Sequence, residues 1–148
     1  MDLKEEQLEQ AFIEELQELN WEYINGYQME RSDFREVILE ETLREAVYRL
    51  NPNMPNNSKE EAIRKVLHLS NPILIKGNEE FHKMLTQGVD VGQYIDSENK
   101  KRSGGKVYLV DFENVEANTF QAVNQFTIDE KTRRRPDVIL FINGLPLV

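Results

Sequence analysis

The stretch VILFINGLPLV, residues 138–148, decides the fold. Its first five residues are apolar throughout, as in a strand covered on both faces. Asn143-Gly144 follows, a strong two-residue hairpin signal, because both central positions of such a turn need positive φ. LPLV then begins a return strand of which only four residues are present. An apolar strand cut at that point is expected to belong to a longer protein, of which this is an N-terminal piece.

Upstream of the hairpin the pattern stays extended. AVNQFTI (122–128) and KVYLVDF (106–112) read as strands, and SENKKRSGGK (97–106) as a polar hairpin connection. Val89, Val91 and Ile95 alternate with polar residues, also as a strand would. Before Gly88 the period is helical. Residues 5–19 repeat Leu8, Phe12, Leu16 and Leu19 at helical spacing, with Ile13 beside them. Glu14 and Glu18 fall on the opposite face, whereas Glu9 shares a line with Phe12, Ile13 and Leu16. Trp21 to Ile24 is a short β-prone run.

Three further helices are expected. The first is capped at Ser32 or Asp33, with Leu39, Leu43, Ala46, Val47 and Leu50 inward. The next opens with a Ser58/Glu61 capping box and buries Ala62, Ile63, Val66 and Leu67. The last starts at Asn78 and closes at Gly88. Helices first and a sheet after them make an α+β chain, with N-terminal helices packed on a mostly antiparallel or mixed sheet. Residues 1–148 are expected to form one domain, incomplete at its C-terminus.

Composition narrows the function. The chain has 148 residues, 39% hydrophobic and 30% charged, enough for a real core. There is no cysteine, so disulfides, thiolate metal sites and cysteine catalysis are excluded. The N-terminus is acidic and no apolar run can span a bilayer, so a cytoplasmic protein without membrane contact is expected. The net charge of −9 is concentrated: residues 1–30 hold nine acids and one base, and the rest is nearly neutral. That balance disfavours a strong standalone nucleic-acid binder and leaves room for a local basic surface. His68 and His82 sit on different helices without HExxH spacing and read as surface histidines. SGGK at 103–106 lacks the phosphate-loop spacing and leads into a strand rather than a helix.

TRRRPDVILFING, residues 132–144, is the informative stretch. Three arginines and a proline lead into Asp137, which opens the apolar strand. A carboxylate there suits a hard cation such as Mg²⁺, which takes one or two carboxylates plus phosphate oxygens and water. Arginines suit a phosphodiester. A salt bridge from Asp137 to an arginine is the commoner arrangement on spacing alone.

The residues also carry a family resemblance. LEQAFIEELQELNWEY (8–23), LREAVYRLNPNMP (43–55), NEEFHKMLTQGVDV (78–91), VYLVDFENVEANTFQAVNQFTI (107–128) and RRRPDVILFINGLPLV (133–148) resemble, in order, the N-terminal region of the restriction (R) subunit of type I restriction–modification enzymes. The Asp-Phe…Asn…Asn-Gln pattern and the Arg-Pro-Asp…Asn-Gly-Leu-Pro-Leu run are the most specific. The resemblance implies a PD-(D/E)XK nuclease fold that hydrolyses DNA with Mg²⁺, in which Asp137 after Pro136 binds the metal. A Glu-x-Lys on the return strand would complete the site, and none follows Gly144. Glu9 matches the helix carboxylate that joins such sites; a structural carboxylate held by an arginine is the equal alternative.

Asn124 and Gln125 precede the site and point to opposite strand faces, so only one can approach the metal. Arg133, Arg134 and Arg135, with Lys100 and Lys101, are the candidate DNA contacts. The resemblance further implies methylation (M) and specificity (S) subunits as partners and an ATP-driven translocase outside this chain. The rival expectation is a non-catalytic docking module in a DNA-processing complex, with Asp137 structural.

Overall fold

The computed structural model describes residues 3–26, 38–69, 75–95, 102–124, 128–129, 133–134 and 138–147. It is an α+β structure in two compact units, residues 1–39 with 119–148 and residues 40–118.

The first unit holds helix α1 (Leu3–Glu18) and strands β1 (Glu22–Asn25), β4 (Phe120–Asn124), β7 (Val138–Ile142) and β8 (Leu145–Pro146). Their order in the sheet is β1-β4-β7-β8. β1 runs parallel to β4, and β4, β7 and β8 are antiparallel in turn. A two-residue ribbon pairs β5 (Ile128–Asp129) with β6 (Arg133–Arg134). Asn20 ends α1 in the left-handed region, at φ 68°. The N–H of Trp21 donates to Leu16 O, and that of Asn20 to Gln17 O. This Schellman arrangement satisfies the last carbonyls and turns the chain into β1. The ring of Trp21 then packs on Phe120, with centroids 5.1 Å apart.

The β7–β8 hairpin forms as its sequence predicts. Asn143 and Gly144 have φ of 51° and 79°, the positive pair that matches the strand twist. Val123, Ile139 and Phe141 form a buried cluster with Leu39, and Ile24 packs against it. Leu39 precedes the next helix rather than lying within it; its N–H donates to Gly144 O at 2.9 Å. Val138 and Leu140 are only half-buried, so the apolar strand is fully covered on one face alone.

The buried side of α1 differs from the expected stripe. Ile13 and Leu16 are buried, while Leu8, Phe12 and Leu19 are exposed, Leu8 to 71%. The apolar residues cover about 140° of the helix at 100° per residue, and periodicity does not say which edge meets the sheet. The Ile13 edge does.

The second unit holds α2 (Glu40–Leu50), α3 (Asn56–Leu69) and α4 (Ile75–Gln87), then the antiparallel pair β2 (Val89–Ile95) and β3 (Arg102–Val107). α3 lies against α2, α4 and both strands. Leu43, Ala46, Val47, Ala62, Ile63, Val66, Val89 and Val107 are its buried core. The expected cap at Ser32 or Asp33 lies outside the described residues. α3 starts earlier than its Ser58 signal: the amides of Ser58 and Lys59 both donate to Pro55 O, and Ser58 is buried inside the first turn. Glu61, the other half of the expected box, instead accepts the Gly92 N–H at 2.8 Å. α4 likewise begins before Asn78, and Gly88 closes it at φ 89° as expected.

The expected strand over 106–112 stops at Val107. Beyond it the side-chain amide of Asn51 takes both backbone groups of Tyr108, replacing a neighbouring strand. Leu109 and Val110 are buried in bends, so the apolar run gives burial without a ladder. No helix among the described residues is long and apolar enough to cross a membrane.

Candidate functional site

The candidate site belongs to the first unit. β7 begins at Val138, the residue after Asp137, and Val138 pairs with Asn124. Asp137, Gln125, Arg135, Lys100 and Lys101 lie outside the described residues. Arg133 and Arg134 form β6, a backbone ribbon paired with Asp129 and Ile128.

Asn124 lies at the end of β4 and shares a sheet face with Ala122. Its Oδ1 accepts the N–H of Gly26 at 3.4 Å. That contact ties the chain leaving β1 to β4, so the described role of Asn124 is to hold two parallel strand ends together.

Glu9 sits on α1 one turn before Ile13 and two before Leu16, the two buried residues of the helix. It is half-buried, whereas Glu5, Glu14 and Glu18 are exposed. The phase expected for Glu9 therefore holds, and Glu14 and Glu18 are surface carboxylates. His68 and His82 are exposed, as expected. Among the described residues no group of three or more His, Asp and Glu side chains is arranged to hold a metal.

Two residues escaped the sequence reading. Asn143 is completely buried in the turn. Its N–H donates to Thr119 O at 2.8 Å, and its Oδ1 accepts the Thr119 N–H at 2.7 Å. The turn is thereby fastened to the residue that enters β4. The Asn-Gly signal marked the turn; nothing in the sequence marked the side chain as its clamp. Gln121, on β4, is buried beside Glu22 of β1, with its Nε2 3.5 Å from Glu22 Oε2. Its Oε1 is buried without a hydrogen-bond partner among the described residues. The expected strand starts at Ala122, so neither Gln121 nor its partner across the parallel pair was visible in the sequence.

In the second unit, Arg44, Tyr48 and Glu60 form a polar cluster joining α2 to α3. Glu60 accepts hydrogen bonds from Arg44 and from the Tyr48 hydroxyl, and Arg44 also pairs with Glu40 at 3.2 Å. Arg44 first, then Tyr48, holds the Glu60 carboxyl below the usual carboxylate range. These groups face a partner each and read as a structural link between helices.

Comparison with known proteins gives a consistent picture. The family model described as the type I restriction enzyme R protein N terminus matches residues 2–148. The chain is 37% identical over 155 residues to the type I restriction enzyme HindI endonuclease subunit of Haemophilus influenzae, a match covering 99% of the chain and 14% of that relative. It is 32% identical over 149 residues to the "Putative type I restriction enzyme MjaIXP endonuclease subunit" of Methanocaldococcus jannaschii, with 95% and 14% covered. The chain spans about one-seventh of the length of these curated relatives.

Proposed function

Because the chain belongs to the family of type I restriction enzyme R protein N termini, we propose that residues 1–148 are the N-terminal endonuclease domain of a DNA-cleaving subunit. The observation that carries this reading is the Asn143-Gly144 hairpin. It sets β7, whose first residue follows the Pro136-Asp137 pair, antiparallel to a return strand in one sheet. A PD-(D/E)XK site needs two such neighbouring strands, one for each half of its motif.

The donors fit a hard divalent cation: Asp137 and the half-buried Glu9 are carboxylates, and the chain has no cysteine thiolate. When bound, Mg²⁺ would stabilise charge on the phosphate oxygens and lower the pKa of an attacking water. Asp137 would hold it at the mouth of β7, with Glu9 as a second oxygen donor. Arg133, Arg134 and Arg135 would meet the phosphodiester backbone and orient it, and Lys100 and Lys101, which belong to the second unit, would be separate DNA contacts. In the longer protein an ATP-driven translocase would deliver DNA, and methylation and specificity subunits would supply sequence recognition. That division of labour suits a chain of net charge −9, which cannot rely on bulk electrostatics to find DNA. All of this chemistry belongs to the cytoplasm.

The test is DNA cleavage with Mg²⁺ by two polypeptides, residues 1–148 alone and the full-length subunit with its partners. The assembled subunit is expected to cleave. Residues 1–148 are not, because no Glu-x-Lys follows Gly144 and loss of such groups costs orders of magnitude in rate. Robust nicking by the short polypeptide, or none by the assembled one, would contradict the reading.

A further inference from the structure

The β7–β8 turn is joined to more than its own two strands. In the β4–β7 pair Phe120 lies opposite Ile142, so the next step of the same register sets Thr119 opposite Asn143. The backbone supplies half of that pairing: the Asn143 N–H donates to Thr119 O at 2.8 Å. The side chain supplies the other half, its Oδ1 accepting the Thr119 N–H at 2.7 Å. At φ 51° the Asn143 backbone has already turned left-handed. Its side-chain oxygen takes the place that a strand residue's carbonyl would fill in a hydrogen-bonded pair. The β4 ladder is thereby carried one residue into the turn, by a residue that is completely buried. The far side of the turn is tied as well. Gly144 O accepts the Leu39 N–H at 2.9 Å, and Leu39 is buried with Val123, Ile139 and Phe141.

These ties matter because β8 has little else to hold it. It is last in the sheet order, so β7 is its one strand neighbour among the described residues. The Leu147 N–H donates to Leu140 O at 2.8 Å, which places the backbone groups of residue 146 on the side away from β7. That residue is Pro146, so another strand finds no N–H donor there. The return strand is therefore held by β7 and by the turn. Turn geometry sets the register of a hairpin. A turn bonded to both Thr119 and Leu39 cannot tilt or slip without breaking those bonds.

Under the nuclease reading, on which this inference rests, the segment opened by Asp137 and the return strand each bring oxygen donors to one cation. A cation shared by two strands is held only as well as the strands are spaced. We propose that Asn143 is a positioning residue for DNA cleavage: by carrying the β4 ladder into the turn, it fixes the return strand against β7 and so the spacing of the donors on either side of one Mg²⁺. Asn143 touches neither the metal nor the DNA in this role. It acts through the strand that follows it.

The test compares the parent, Asn143→Gly and Asp137→Ala as full-length subunits in their native assembly. Glycine keeps the positive φ and removes the Oδ1 acceptor. Hydrogen exchange without metal, followed by mass spectrometry, should be about tenfold faster over residues 143–147 in Asn143→Gly and unchanged over β1. Mn²⁺ binding is followed by electron paramagnetic resonance without nucleotide, and the ions lost in Asp137→Ala define the site. Asn143→Gly should bind as many ions as the parent but about tenfold more weakly, the scale of losing a group that orients a metal ligand. Its DNA cleavage should fall about tenfold or more while translocation is unchanged. Faster exchange throughout the first unit, or fewer ions at unchanged affinity, would make Asn143 a support of the fold alone and overturn the proposal. So would parental Mn²⁺ affinity and cleavage in Asn143→Gly when Asp137→Ala is inactive. If Asp137→Ala instead binds Mn²⁺ and cleaves as the parent does, the nuclease reading itself has failed, and the positioning role falls with it.

Discussion

Replacing Asn143 separates two contributions that one residue makes to the hairpin. Its backbone sits at φ 51°, and its buried Oδ1 accepts the Thr119 N–H at 2.7 Å. Alanine loses both: a donor left without its acceptor costs about 1–3 kcal/mol, and the left-handed region, without the short polar side chain by which asparagine tolerates it, costs about 1 kcal/mol more. Asn143→Ala should therefore destabilise the first unit by about 2–4 kcal/mol. Asn143→Gly keeps the backbone at ease and loses only the acceptor, about 1–3 kcal/mol. Urea unfolding followed by Trp21 fluorescence measures this series, because Trp21 is the sole tryptophan and stacks on Phe120 within the same unit. Alanine should cost more than glycine. If alanine costs no more than glycine, the conformational part of the argument is wrong; if glycine costs nothing, the hydrogen bond is not what matters.

Two further outcomes follow from single carboxylates. Glu60 has its carboxyl held down by Arg44 and Tyr48, so folding stabilises its charged form. That stability is present above the ordinary carboxylate range and is lost as the pH falls through the folded value. The thermal midpoint of the parent should thus fall more steeply than that of Glu60→Gln between pH 6 and pH 3, and parallel curves would show that the cluster contributes nothing. In the assembled full-length subunit, Glu9→Gln should slow DNA cleavage while Glu14→Gln leaves it unchanged. Glutamine keeps the shape and removes the charge, so equal cleavage by both variants would leave Glu9 a structural carboxylate.

Much of the scaffold was legible because it rests on local rules. Asn143-Gly144 demanded a hairpin, Gly88 a helix stop, and the Trp21 to Ile24 run a short strand; all three formed. Where long-range packing chose among local options, the sequence was silent. The apolar arc of α1 did not say that Ile13 would meet the sheet while Leu8 stayed in solvent. KVYLVDF kept its burial but gave up its ladder to Asn51, 57 residues away in the chain. Leu39 fits a helical period with Leu43, yet it belongs to the β7 cluster. Helical phase did put Glu9 on the buried side of α1, in line with Ile13 and Leu16. Asn124 looked like a site residue because it precedes Asp137 in the strand order, and its contact with Gly26 became visible only across the parallel pair.

The central claim is that Asp137 serves DNA cleavage rather than the integrity of the strand it opens. The most direct measurement follows DNA cleavage and ATP-driven translocation in parallel, in the assembled full-length subunit, comparing the parent with Asp137→Ala. Loss of a metal-holding carboxylate removes several kcal/mol of transition-state stabilisation, so cleavage should fall about 10³-fold or more. Translocation should persist at the parental rate, because the proposed motor would lie outside residues 1–148. Cleavage that survives in Asp137→Ala, or translocation and cleavage lost together, would contradict the account.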